Sequence, residues 1–344
     1  MKSFYECSFF QEKWDNRSSF SVKQKELKFK NILADGKLKF EKIDVLYKCS
    51  WIKQKDWSLR PTIIIPIKDN SELLRVTLKN LIENKIYEIA NIIIVDDRSS
   101  EDIESIVLEK KFSYLRIENE KGFNFSMLNN IPAKICNELG IETIILWNSD
   151  LWCKSREDVE EILNRHAIND SKISGSKLIY PTADLSLRGE EDTKNIELCF
   201  SSMKGKWRNT VQFGGVAWVG TKGPILYSPI HQKRFSEIDN HFVNCDKGCS
   251  FVTGALQVID LSFFISIGGM NPSLSKVFQD VDLCLRTNEK GRKVYYFGKD
   301  LYFYHDESAT LNNIKGEKKN DKQFESDHFL FGKIWNNKIG KIIW

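Results

Sequence analysis

Apolar residues along this chain follow two rhythms. From residue 62 onward, short runs that are apolar throughout and rich in β-branched side chains, such as Thr62-Ile-Ile-Ile-Pro66 and Asn91-Ile-Ile-Ile-Val95, alternate with stretches in which apolar side chains recur every three or four positions. The first rhythm predicts strands buried on both faces, the second amphipathic helices. Arg60-Pro61 marks the start of the pattern, because the residue before a proline is pushed out of the helical region. Ser71 reads as the cap of a helix over 71–83, with Leu74, Leu78, Leu81 and Ile82 on one face. A helix over 101–110, a strand over 114–117, a loop at 121–124, a helix over 126–138 and a strand over 143–147 complete the run. This alternation predicts an α/β fold with a doubly wound, mostly parallel sheet. In such sheets ligands bind beyond the C-terminal ends of the strands.

Past residue 150 the rhythm loosens. A capped helix over 155–167, strands over 174–180, 211–219 and 251–259, and a short helix or turn over 261–267 are expected. A polar loop over 183–208 interrupts them. Residues 278–290 start extended and become helical, 294–297 and 301–304 read as short strands, and 321–336 as a helix. Residues 1–59 carry aromatic residues and lysines but no interpretable motif, so they are read as an N-terminal extension of unknown role. The main domain spans 60–320, and 321–344 form a C-terminal helix and tail.

Composition narrows the function classes. The chain has 344 residues, 41% hydrophobic and 28% charged, which suits a globular domain with a large core. A net charge of +4, spread along the chain, gives no basis for nucleic-acid binding. No apolar run approaches the ~20 residues of a membrane span, and the first residues lack the apolar run of a signal peptide. A cytoplasmic protein is expected. The eight cysteines are scattered and fit reduced, partly buried thiols. Cys245 and Cys249 could form half of a zinc site, but no second Cys/His pair stands at a suitable spacing.

Three segments carry candidate chemistry. Asn148 and Asp150 follow the strand over 143–147, and alternation along a strand would point them the same way. Together they could hold a hard divalent cation shared with a diphosphate, although a polar turn is the plainer reading. Asp96-Asp97 stands at another strand end. Asp280, just before a helical pattern, is either an N-cap, with Asp282 as a first-turn charge, or a general base at a cleft. His305 closes an aromatic strand and is either structural or a ligand.

In this order the segments resemble family 2 glycosyltransferases of the GT-A fold, over about residues 60–336, in the branch that builds O-antigen, capsule and rhamnan-type polymers. Residues 61–70 resemble the opening strand and nucleotide loop, and Val95-Asp-Asp-Arg-Ser-Ser100 the aspartate pair of which one carboxylate contacts the base. Gly122-Phe-Asn-Phe-Ser-Met-Leu-Asn-Asn130 is similar to a segment of that branch. Asn148-Ser-Asp150 stands where an Asp-x-Asp metal motif is expected. Val211–Val216 and Val252-Thr-Gly-Ala255 resemble the acceptor-side strands. Gly268-Gly269 and Gln279-Asp-Val-Asp-Leu-Cys-Leu-Arg286 resemble the base segment, and residues 305–308 the closing histidine motif. Two positions depart from the pattern: Asn148 replaces an aspartate, and Gln279 stands where an acidic residue is common.

The resemblance implies an inverting, metal-assisted transfer of a hexosyl or deoxyhexosyl unit from a nucleoside diphosphate sugar to a hydroxyl of a glycan or lipid-linked glycan. It makes Asp280 the catalytic base. It assigns Pro66, Lys68, Asp96, Asp97, Lys121, Asn124 and Asn148 to the nucleotide sugar, Asp150 and His305 to Mg²⁺ or Mn²⁺, and Trp218, Thr253, Gly254 and Asp282 to the acceptor. Trp207 and Trp218 could stack on sugar rings, or be core. A lipid-linked acceptor would place the protein at the inner face of a membrane, and the aromatic, lysine-bearing residues 324–344 are either a membrane contact or packed core. The rival readings are a sugar nucleotidyltransferase, which would usually show a Gly-rich basic loop absent from Pro66–Asn70, and a non-catalytic sugar- or partner-binding homologue, which Asn148 leaves open.

Overall fold

The computed structural model describes residues 8–9, 17–32, 38–182, 207–306 and 322–341. The expected strand–helix run is present: β4 (Thr62–Ile67), α1 (Ser71–Glu83), β5 (Asn91–Asp96), α2 (Ile103–Glu109), β6 (Ser113–Glu118), α3 (Phe125–Glu138) and β7 (Thr143–Trp147). It is preceded by β1 (Ser8–Phe9), β2 (Arg17–Ile32) and β3 (Leu38–Ile52). It is followed by β8 (Leu151–Trp152), α4 (Arg156–Ile168), β9 (Ile173–Ile179), β10 (Val211–Phe213), β11 (Val216–Gly220), β12 (Tyr227–His231), β13 (Asp246–Gly248), β14 (Leu256–Asp260), α5 (Leu261–Ser266), α6 (Gln279–Glu289), β15 (Val294–His305) and α7 (Lys322–Trp335).

Strands β6-β5-β4-β7 are parallel and form the centre of the α/β sheet. Ile63, Ile64, Ile65 and Ile92 to Val95 are fully buried there, as expected of strands covered on both faces. Beyond β7 the sheet turns mixed: β14 pairs antiparallel with both β7 and β9, and β9 runs parallel to β15. Asn70, rather than Ser71, caps α1, its side chain accepting from Leu73 N at 3.2 Å. The strand expected over 211–219 is two strands, β10 and β11, parted at Gly214-Gly215. The two short strands expected near the end are one, β15, with a register shift between Phe297 and Tyr302. The polar loop over 183–208 lies outside the described residues, except for Trp207 and Arg208.

The segment without a motif is a long antiparallel hairpin. β3 pairs with β6 over Lys48–Ile52, so the hairpin extends the sheet at the β6 edge. Its inner face carries Phe20, Val22, Val45, Tyr47, Cys49 and Trp51 into the core. It also meets the far end of the chain. Phe29 stacks on Phe329 with ring centroids 4.9 Å apart, and Phe29 N donates to Ser326 Oγ at 3.0 Å.

Phe324, at the start of helix α7, is exposed, but Leu330, Phe331 and Trp335 are buried, as is Ile339 beyond the helix. Those residues are core and present no surface to a membrane; Ile342 to Trp344 lie outside the described residues. Replacing Trp335 with Ala should cost ~3–5 kcal/mol and lower the melting temperature measurably. A melting curve unchanged from wild type would contradict its place in the core. No helix among the described residues is long and apolar enough to cross a membrane.

Candidate active site

Strand β7 stops at Trp147, and Asn148 to Leu151 form a turn closed by Leu151 N donating to the Asn148 carbonyl at 3.1 Å. Strand alternation therefore does not govern how Asn148 and Asp150 are set; the turn does. It is clamped on several sides. Trp147 Nε1 donates to the Leu151 carbonyl at 2.8 Å, Thr77 donates its hydroxyl to the Ser149 carbonyl, and Asp306 N donates to the Asp150 carbonyl at 2.9 Å. β8 then pairs with the end of β15, Leu151 opposite His305. This brings His305 Nε2 to 3.2 Å from Asp150 Oδ1, both side chains nearly out of solvent. The Asn148 side chain stays half-exposed at the mouth of the turn.

The same turn abuts the segment that holds Asp280. Asn148 N donates to the Ala255 carbonyl at 3.0 Å, and next to it Gly254 N donates to Asp280 Oδ2 at 2.7 Å. Asp280 Oδ1 accepts from Val281 N at 2.8 Å. The N-cap of α6 is Phe278, so Asp280 is no cap: its carboxylate reaches across to the 253–255 loop instead. Burial pushes its pKa above the ordinary carboxylate value, against the pull of the Gly254 and Val281 N–H groups. Thr253 is half-exposed beside it.

Gly254 is small for a reason. A Cβ there would lie 3.2 Å from Asp280 Cβ and 3.4 Å from its Oδ2. Gly254→Ala should push the carboxylate aside by a few tenths of an ångström and lower turnover ~10-fold, since misplacement by ~1 Å can cost 10²-fold. Steady-state kinetics beside a melting curve would test this, and unchanged kcat would show that the carboxylate needs no such placement.

Asp282 faces elsewhere. Its Oδ1 accepts from Trp335 Nε1 at 2.9 Å and its Oδ2 pairs with Arg286 Nε at 2.8 Å, with the residue fully buried. It ties α6 to α7 and is not placed to meet an acceptor. Phe278, before it, holds a left-handed backbone at φ 65°, rare for a bulky residue, and stacks on Phe331 at 4.5 Å. Asp327 of α7 caps the preceding loop, its Oδ2 accepting from the backbone N of Ser275, Lys276 and Val277 at 2.9, 2.6 and 3.0 Å. Burial raises its pKa to about 6. Helix α7 thus braces the Asp280 segment from behind.

At the end of β5, Asp96 and Asp97 part company. Asp96 is wholly buried, accepting from Ser99 N, Tyr114 Oη and Arg116 Nη1 at 2.8, 2.6 and 2.7 Å; it shapes the turn after β5. Asp97 pairs with Arg98, which sits in the left-handed region at φ 54°. Lys68, exposed, approaches the Asp97 and Arg98 carbonyls at 3.3 and 3.4 Å, and Pro66, near the end of β4, is half-exposed. Lys121 is exposed on its loop. Asn124 faces away: it caps α3 and donates to Glu26, Tyr47 and the Pro272 carbonyl at 3.1, 3.2 and 2.9 Å, buried under the hairpin. Burial and the neighbouring Glu26 hold the Tyr47 phenol well above its usual pKa. Trp207 is fully buried against Tyr180, so it is core. Trp218 is half-buried, its Nε1 donating to Ser250 Oγ at 2.9 Å. The two sulfurs of Cys245 and Cys249 turn to separate backbone carbonyls.

A family model described as glycosyl transferase family 2 matches residues 62–185, the segment that runs from β4 past the Asp150 turn. Over those residues the chain is similar to family 2 glycosyltransferases. Among curated proteins, the uncharacterized protein y4gI of Sinorhizobium fredii is 28% identical over 260 residues, covering 72% of this chain and 24% of its own. The O-antigen biosynthesis protein RfbC of Myxococcus xanthus is 23% identical over 253 residues, covering 72% of this chain and 17% of its own. The chain thus spans about a quarter of these relatives' length or less. Structural likeness to solved glycosyltransferases is distant. GalNAc-T7, solved with UDP, GalNAc and Mn²⁺, aligns with 73% of this chain and 44% of its own at TM-score 0.49 and 13% identity. The mannosyltransferase PcManGT of Pyrobaculum calidifontis, solved with GDP-Man and Mn²⁺, aligns with 72% and 56% at TM-score 0.42 and 13% identity.

Two residues in this site carried no assignment from sequence. Arg98, within Val95–Ser100, supplies the ion pair that holds Asp97. Gln212, inside Val211–Val216, lies 3.3 Å from His305 through its Oε1.

Proposed function

We propose that this chain is an inverting glycosyltransferase that moves a hexosyl or deoxyhexosyl unit from a nucleoside diphosphate sugar to a hydroxyl of a glycan or lipid-linked glycan. The observation that carries the reading is the linkage of two carboxylates through one loop: Asn148 N to the Ala255 carbonyl, and Gly254 N to Asp280. It joins the segment of Asp280 to the turn that follows β7, which supports reading the two as parts of one site.

Asp280, with its raised pKa, would take the proton of the acceptor hydroxyl as that oxygen attacks the anomeric carbon from the face opposite the leaving group. One displacement inverts the carbon, and a positioned base contributes ~10²–10⁴-fold. Asp150 and His305, with Asn148 beside them, are oxygen and nitrogen donors that fit Mg²⁺ or Mn²⁺ sharing its remaining positions with diphosphate and water. Bound there, the cation would neutralise charge growing on the leaving diphosphate. Lys68, Arg98 and Lys121 line the approach to the nucleotide. Pro66 would flank the nucleotide, Asp97 would orient its base once released from Arg98, and Trp218 and Thr253 would border the acceptor. The O-antigen role in the M. xanthus relative's name supports a setting in bacterial surface polysaccharide synthesis, with the chain working at the cytoplasmic face of a membrane.

A second reading has its own support. Asn148 replaces a carboxylate, and no cluster of three His, Cys, Asp or Glu side chains occurs among the described residues. That favours a non-catalytic, sugar-binding homologue. Hydrolysis of a panel of UDP-, GDP- and dTDP-sugars, with and without Mn²⁺, separates the two: cation-dependent release of the diphosphate supports the enzyme, and none from any donor supports the binding protein.

A further inference from the structure

Strand β10 pairs with β9 with Val211 opposite Ile179 and Phe213 opposite Leu178, so Gln212 has no partner in the ladder. An extra residue of this kind locally re-aims a side chain and is over-represented next to active sites. Gln212 is 1% exposed, and a buried amide is retained only where its polar atoms are used. Its Oε1 lies 3.3 Å from His305 Nδ1, and its Nε2 lies 3.3 Å from His231 Nδ1 on β12. His231 Nδ1 is also 3.0 Å from the main-chain carbonyl of Gln212. A chain of polar groups therefore runs from Asp150 through His305 and Gln212 to His231.

We propose that Gln212 is the positioning residue of the cation site, its amide oxygen accepting the proton of His305 Nδ1 so that the Nε2 lone pair faces Asp150. This rests on the reading of Asp150 and His305 as cation ligands. An imidazole can bind a cation only through an unprotonated nitrogen, and which nitrogen that is depends on the hydrogen bond made by the other. With the amide reversed, its nitrogen would donate to His305 Nδ1, the ring proton would move to Nε2, and that N–H would close onto the Asp150 carboxylate. The site would then be shut to a cation. The side chain that looks remote from the chemistry thus decides whether the pair is open.

The test is Mn²⁺ binding, followed by the electron paramagnetic resonance signal of free Mn²⁺ with saturating UDP or GDP, on wild type, His305→Ala, Gln212→Leu and Gln212→Glu. Gln212→Leu removes the acceptor and should weaken Mn²⁺ binding ~10–100-fold, the usual range for loss of such a partner. Gln212→Glu keeps an oxygen toward His305 whichever way it turns, and should bind Mn²⁺ within a few-fold of wild type or more tightly. Should the leucine variant fail to fold, the glutamate variant decides alone, because loss of binding there means that the amide donates to His305, which overturns the proposal. Wild-type binding by Gln212→Leu, with binding lost in His305→Ala, overturns it while leaving the cation site standing. No binding by wild type with either nucleotide overturns the cation reading and this proposal with it.

Discussion

Asp280→Asn should lower kcat by at least ~10²-fold while donor binding persists, because only the proton transfer depends on the charge of this group. Donor affinity and turnover measured on one preparation separate these effects. Near wild-type transfer would remove Asp280 from the role. The same carboxylate sets an expectation for pH. A base must be ionised, so kcat should fall as pH drops through its pKa, and burial places that pKa above the ordinary value. The acidic limb of kcat should therefore lie above the ordinary aspartate range. The sign for stability is opposite to that of a salt-bridged aspartate. A carboxyl whose folded pKa is raised binds more protons when native, so its contribution declines as pH rises from the unfolded pKa through the folded one. Ionised Asp280 at neutral pH costs stability, and the asparagine variant should melt within a few degrees of wild type. Loss of activity together with collapse of the fold would mean that the residue is structural.

Asp150→Ala should abolish cation-dependent donor binding and lower turnover by several kcal/mol of barrier, ~10²–10³-fold. The main-chain bond from Asp306 N to the residue 150 carbonyl survives this change, so the turn should hold. Asn148→Asp should act in the other direction. Residue 148 opens the turn, a position that favours aspartate as well as asparagine, and its side chain is half-exposed, so a second carboxylate carries little desolvation cost and binds a hard cation better. Titration of Mn²⁺ into each variant at fixed nucleotide reads both outcomes. Full activity of wild type in excess EDTA would show that the chain uses no metal.

The parallel half of the sheet was legible because strands buried on both faces need unbroken apolar runs, and few other structures do. The hairpin of β2 and β3 was missed although Val45, Tyr47, Cys49 and Trp51 alternate cleanly. On β2 the alternation after Val22 passes to buried Gln24 and Glu26, which read as surface residues. Asp35-Gly36 in the intervening sequence was the available signal for a hairpin. Asp280 and Asp150 could be named from motif order, but their linkage could not, since it runs through main-chain bonds of residues 148, 254 and 255. The separate fates of Asp96 and Asp97 hinge on Tyr114 and Arg116 of the neighbouring strand. Asn124 and Asp282, both plausible by motif, turn toward the hairpin and α7, which sequence patterns did not connect to the site.

The joining of Phe29 to Ser326 and of Ser275 to Asp327 has a bearing on synthesis. The first pair is 297 residues apart and the second 52. A ribosome adding ~5–20 residues each second exposes the loop before Asp280 for seconds before its brace is made. The early hairpin waits for its partner far longer, and pairings of such span slow folding. The nascent chain can therefore complete its parallel half and still be without a finished base segment. Activity measured during translation should trail the appearance of compact structure, and chaperone contact should concentrate on the interval before residues 322–335 have emerged.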